Sequence, residues 1–172
     1  MRYLLRFIGG LAAAIGALSL TVAPVQAATN FDNAPNGAHY TKGAGEPVCN
    51  LSGLTVTCSA TQIAGVGNTN ATLVLSVTST FTGVCHNPGT NDKVVDPFTE
   101  SDTSTTTAQL LPSRNGVLRV PQQSATGTSS AEFLDSFSCP NPNWTPDLTG
   151  VAISWSYTLT FAGFSEPAIS LP

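Results

Sequence analysis

The residues able to do chemistry are few and widely spaced. Four cysteines stand at Cys49, Cys58, Cys85 and Cys139, two histidines at His39 and His86, and ten carboxylates are spread over 172 residues. Cysteine thiolates either hold a soft metal or crosslink. Structural zinc takes its ligands in close pairs, and this chain has neither a C-x-x-C spacing nor a pair of neighbouring histidines. An even number of cysteines in a chain that leaves the cytoplasm, as argued below, predicts two disulfides. Of the three possible pairings, Cys49–Cys58 with Cys85–Cys139 is expected. The ten residues from Cys49 to Cys58 read as a hairpin. With Gly53-Leu54 as its loop the two cysteines stand directly opposite; with Ser52-Gly53 they are diagonal, near the limit of disulfide reach. The second bridge would close a long excursion and add about 4 kcal/mol by the chain-entropy model.

The remaining candidates are weaker. A Ser-His-Asp triad needs an imidazole within hydrogen-bond reach of a nucleophile and an acid to orient it. No G-x-S-x-G elbow occurs, and His86 stands beside Cys85 in a turn-like run. Neither histidine is assigned a catalytic role. Asp92, Asp96, Glu100 and Asp102 fall in one stretch with Asn87 and Asn91. An oxygen-rich loop of that kind could hold Ca²⁺, which takes about six to eight oxygens; the spacing matches no EF-hand, and the plain alternative is a solvated acidic loop. Glu132, Asp135, Asp147 and Glu166 could pair for glycoside hydrolysis only at the separations that chemistry demands. Trp144 lies in a Pro/Asn loop beside Cys139. Its ring could stack on a sugar with Tyr40 beside it, or it could plug the end of the fold. No cofactor is expected.

The elements that must position these residues read as strands. Period-two alternation recurs and no window carries a convincing helical period. Leu54, Val56, Cys58 and Ala60 alternate with Thr55, Thr57 and Ser59. Leu73, Leu75, Val77, Ser79, Phe81, Gly83 and Cys85 share one face of the next run, which puts Cys85 in phase with the core. Gly116–Val120 is a short strand stopped by Pro121, and Ser129–Phe137 reads as a less regular one. Val151, Ile153, Trp155, Tyr157, Leu159 and Phe161 form the clearest alternation, with Trp155 expected in the core. Residues 101–107 read as an edge strand or a loose loop. Residues 28–45 read as irregular, with a short strand near His39-Tyr40. Turn signals at Ser52-Gly53, Gly65–Asn68, Asn87–Gly89, Asn115-Gly116 and Pro140–Asn143 separate the runs. The fold class expected is all-β: a single antiparallel β-sandwich, of Ig-like or Greek-key type, with about seven or eight strands.

The N-terminus predicts export. Arg2 and Arg6 precede a run from Phe7 to Val22 that is apolar or small except for Ser19 and Thr21. Pro24 breaks it, and Val25-Gln26-Ala27 offers small residues at the cleavage positions. The run is shorter than the roughly 20 residues a spanning helix needs. Residues 1–27 are therefore expected to be a cleaved signal peptide, and residues 28–172 one secreted domain with no membrane span. Cleavage would remove Arg2 and Arg6, take the formal charge from −4 to −6 and leave 145 residues, enough for a real core. Charged residues make up only 9% of the chain, well below the usual quarter. The basic residues left, Lys42, Lys93, Arg114 and Arg119, do not cluster, which argues against nucleic acid as a partner.

Three short motifs carry a resemblance. Ala64-Gly65-Val66-Gly67-Asn68 precedes a Thr/Val strand, Cys85-His86-Asn87-Pro88-Gly89 follows it, and Cys139-Pro140-Asn141-Pro142-Asn143-Trp144 leads into the last long strand. Together they resemble small secreted proteins of actinobacteria. The group's first cysteine loop more often reads C-x-N-x-G-G-N before a Pro-Gly step; here Thr90 replaces the second Gly and no Pro-Gly step occurs near Val94-Val95-Asp96. The resemblance implies an extracellular, disulfide-bonded β-rich fold and transfers no activity. The expectation is a non-enzymatic structural or adhesive module of the envelope or medium, with a cell-envelope glycan or protein as its partner. The alternative is a carbohydrate-binding module built on Trp144 and Tyr40, and a weaker one is a secreted hydrolase.

Overall fold

The computed structural model describes residues 28–89 and 93–172; the expected export signal and Asp92 lie outside the described residues. In chain order the elements are β1 (Ala28–Thr29), a 3-10 turn (Phe31–Asn33), β2 (His39–Tyr40), β3 (Cys49–Ser52), β4 (Thr55–Cys58), β5 (Thr61–Ala64), β6 (Ala71–Asn87), β7 (Lys93–Leu110), β8 (Leu118–Val120), β9 (Gln123–Thr126), α1 (Ser130–Ser136), β10 (Thr145–Phe161) and β11 (Ile169–Leu171). Among the described residues the fold is all-β with one short helix and eleven strands, four of them only two or three residues long, where seven or eight strands were expected.

Three of those strands are far longer than the usual five or six residues. β6, β7 and β10 pair antiparallel along nearly their whole length, from Ala71 opposite Phe161 and Leu110 at one end to His86 opposite Thr145 and Val94 at the other. At about 3.3 Å per residue this gives a sheet some 55 Å long. β11 and then β1 complete it in the order β1-β11-β10-β6-β7. Every odd residue of β6 from Ala71 to Cys85 is buried, as period-two alternation requires of a strand with one covered face.

No single partner layer covers so long a face, and the chain uses two different roofs. Over the lower half, β2-β5-β8 and β3-β4-β9 form two small sheets. Val56, Cys58, Ile63, Leu118, Val120 and Ala125 from these sheets pack against Leu73, Leu75, Val77, Tyr157, Leu159 and Phe161 of the long sheet. The second layer is thus divided, where two matched sheets were expected. Where the roofs meet, Gly127 lies directly on the long sheet: a Cβ there would stand 2.6 Å from Ser79 Oγ and 3.1 Å from Val77 Cγ1, so only glycine allows the approach.

The upper half is roofed by α1, in the segment that reads as a strand. The correction has a local cause. Ser129 accepts from the Glu132 amide while the Glu132 carboxylate accepts from the Ser129 amide, a reciprocal capping box. Phe133 and Phe137, four residues apart, then face the sheet together. Phe133 stacks on Phe81 at 4.1 Å, and Phe137 meets Phe98 at 4.3 Å. Gly83 makes room for Phe98: a Cβ there would come within 2.5 Å of that ring.

Both expected disulfides are present. Cys49 and Cys58 are directly opposite in the β3–β4 hairpin, whose loop is Gly53-Leu54. Cys85–Cys139 joins the buried face of β6 to the chain leaving α1. No helix among the described residues is long and apolar enough to cross a membrane.

Candidate functional site

The alternation that buries the odd residues of β6 turns its even residues to the opposite face. Neighbouring residues of β7 and β10 join them in rows: Ser156, Ser76 and Thr105; then Ser154, Thr78 and Thr103; then Ala152, Thr80 and Ser101. Hydroxyls bridge the β6–β7 pairs at 3.0 Å for Ser76–Thr105, 2.8 Å for Thr78–Thr103 and 2.9 Å for Thr80–Ser101. Thr72 extends the series by donating to Gln109 Oε1 at 3.1 Å. Rows recur about every 6.6 Å along the strands and columns about every 4.8 Å across them. Each hydroxyl donates once and accepts twice, so a row that bridges internally still offers acceptors to an incoming polar group. From Thr72 to Thr80 the three strands bring no charged side chain to this face. Period-two alternation marks these Thr and Ser residues only as lying opposite the core face. The register that aligns them across three strands is long-range information.

His86 stands at the upper end of the same face, with Nε2 3.5 Å from Asp147 Oδ2; Asp147 is well exposed. A base beside an acid is two thirds of a triad. Thr82 and Thr149, whose hydroxyls donate to the carbonyls of Gly150 and Thr82, lie further along the sheet, Thr82 about 13 Å from His86 by strand rise; the hydroxyl residue directly opposite His86 is Thr145.

The two aromatic candidates lie at opposite ends of the molecule. The Tyr40 hydroxyl is 2.7 Å from Thr29 Oγ1, and its ring meets Phe31 edge-on at 5.1 Å. Burial raises its phenol pKa, the Thr29 bond opposes that, and Glu46 adds to the rise. Thr29 is level with Leu159 through β11. Trp144 is partly exposed and directly precedes Thr145 at the other end of β10, on the order of 40 Å away. They form no shared platform. Trp155 packs against the core yet stays partly exposed, and Val151 on the same side is 43% exposed, because the roof does not reach fully across β10 there. This leaves a short apolar stripe where a buried strand was expected.

Asp96, Glu100 and Asp102 all lie on the roofed side of β7, strung along it. Asp96 and Glu100 are about 13 Å apart by strand rise, so these three carboxylates do not converge on one ion. Among the described residues no three His, Cys, Asp or Glu side chains group closely enough to hold a metal. Asp102 instead accepts from the Thr128 hydroxyl at 2.6 Å, and Glu132 accepts from the Ser129 amide and hydroxyl, both at 2.8 Å. They line an open groove of about 450 Å³ with Ser104, Thr126, Gly127, Thr128 and Ser136. The Ser129 bonds hold the Glu132 carboxyl below its ordinary value, with Asp102 a small opposing influence. Each carboxylate thus braces the entry to α1. Of the other acids, Glu132 and Asp135 lie on α1, Asp147 on the far face of the sheet, and Glu166 in the loop before β11. Comparison with known protein families, with curated proteins and with solved structures finds no match.

Proposed function

We propose that this chain is an exported, disulfide-braced β module that works outside the cytoplasm as a structural or adhesive element, and that it is not an enzyme. The hydroxyl face of β10, β6 and β7 carries this reading. It runs from Thr72 to Thr80 across three strands, and its uncharged donors and acceptors suit a polymer rich in hydroxyls and amides. The partner is an envelope glycan or a protein displayed there, in the setting that the actinobacterial resemblance implies. Two crosslinks and a surface sparse in charge suit a protein exposed to an oxidising, variable medium. The carbohydrate module built on Trp144 with Tyr40 loses its basis, since the two rings stand at opposite ends.

The test is co-sedimentation of the full-length chain, recovered after export, with isolated cell envelopes. We expect binding that falls when Thr78→Lys and Thr103→Lys are combined and that survives Trp144→Ala. A screen on ester, peptide and glycoside substrates accompanies it. Turnover lost with His86→Ala would overturn the reading in favour of a secreted hydrolase.

A further inference from the structure

The long sheet ends differently at its two edges. On one side β11, with β1 beyond it, covers β10 only from Tyr157 to Leu159, and the uncovered part of β10 carries Pro146, Asp147 and a register shift between Leu148 and Gly150; the other edge is β7, eighteen residues long. No element among the described residues pairs with the outer side of β7. A row of unpaired amides and carbonyls templates another strand, and chains usually guard against this with prolines, inward-pointing charges or short edges. In β7 those guards sit in one half only. Pro97, Asp96, Glu100 and Asp102 occupy the first ten positions, and from Thr103 to Leu110 there is neither a charge nor a proline.

We infer that the unguarded half of β7 is a docking strand for a second copy of this chain, pairing antiparallel about a two-fold axis at Thr105 and joining two five-stranded sheets into one. The charges disfavour a register centred on Ser101 and allow one centred on Thr105. Centred on Thr105, Asp102 faces Ala108 and Glu100 faces Leu110. Centred on Ser101, Glu100 would face Asp102, and like charges directly opposite destabilise a strand pair. The chosen register also sets Thr105 opposite Thr105 and Thr103 opposite Thr107 on the hydroxyl face. These repeat the Ser76–Thr105 and Thr78–Thr103 pairs already made within the sheet at 3.0 and 2.8 Å. A two-fold pairing closes on itself, using this edge in both copies. The inference goes beyond the functional reading and stands apart from it, since it concerns assembly and not what the hydroxyl face meets.

Sedimentation velocity on the full-length chain recovered after export, with single-cysteine variants, tests it. We expect a dimer. Thr105→Cys should crosslink between copies under mild oxidation, because residues facing each other across an antiparallel pair lie within disulfide reach. Thr99→Cys should not, its two copies lying about 40 Å apart by strand rise. Thr105→Lys should weaken dimerisation by roughly tenfold or more, through like charges placed across the axis, with an unchanged far-UV spectrum. A monomer at all concentrations, equal crosslinking at both positions, or a β7 edge that takes up a different extended peptide while the chain stays monomeric would each overturn the inference.

Discussion

The two halves of the long sheet solve one problem by different means. In the lower half, strands cover strands: two three-stranded sheets lay aliphatic side chains on Leu73, Leu75 and Val77, and the fit comes from many small contacts. In the upper half a seven-residue helix does the covering. A helix that short is not stable alone in water, so it must be held from outside. Four phenylalanines hold it by ring packing, with Phe81, Phe133 and Phe137 in a stack and Phe98 against its edge. Cys85–Cys139 then ties the helix exit to the buried face of β6. A distributed roof tolerates local loss better than one that hangs on a few rings and one bond.

The largest effect should come from Phe133→Ala. Removing a buried aromatic costs about 3–5 kcal/mol, and here the loss should fall on the upper half alone. Denaturant-dependent hydrogen exchange should show Phe81 to Cys85 opening before Leu73 to Val77, whereas Leu75→Ala should lower both together. Replacing Cys85 and Cys139 by alanine should cost about 2–4 kcal/mol, the usual worth of a disulfide, again in the upper half first. Thermal melts of this double variant should broaden or split, while those of a Cys49 and Cys58 double variant should stay single.

The strands beneath the two roofs are legible in the residues. The alternation in β6 and β10 gave the strand faces, and it put Cys58 and Cys85 in phase with the core before any coordinates. The split roof was not legible, for physical reasons. A seven-residue helix shows less than two turns of period, and its signals, the Ser129/Glu132 box and the Phe133/Phe137 spacing, sit inside a Ser/Thr-rich run that also suits a strand. Only residues 101–107 of β7 read as an edge strand or a loose loop, since Ser/Thr density suits either; the strand runs on through Pro97 because an edge strand tolerates proline where no ladder bond is needed. The aromatic pair Trp144 and Tyr40 failed as a site because sequence gives residue types and not the length of the sheet between them. Trp155 alternates like a core residue, but alternation cannot say where a roof stops.

The smaller predictions sharpen the same contrast. Ser129→Ala should cost about 1 kcal/mol through the lost cap, read as faster amide exchange in α1. The Glu132 carboxyl is held below its ordinary value by Ser129. Its share of stability is therefore present above the ordinary carboxylate range and is lost as pH falls through the lowered folded value. α1 should loosen on acidification before the lower half does, and Ser129→Ala should flatten that dependence. The smallest effect should have the opposite sign. The Tyr157 hydroxyl is fully buried in the lower core with no hydrogen-bond partner among the described residues, and burial pushes its phenol pKa up strongly. An unsatisfied buried hydroxyl costs stability, so Tyr157→Phe should leave the melting temperature unchanged or raise it by a few degrees, about what 1 kcal/mol moves in a domain of this size.

The most direct test of two roofs on one sheet is hydrogen exchange along β6 with and without a reductant. With both disulfides reduced, the account predicts rapid exchange from Phe81 to Cys85 and in α1, with protection kept from Leu73 to Val77. Uniform loss of protection along the whole of β6, or none anywhere, would contradict it.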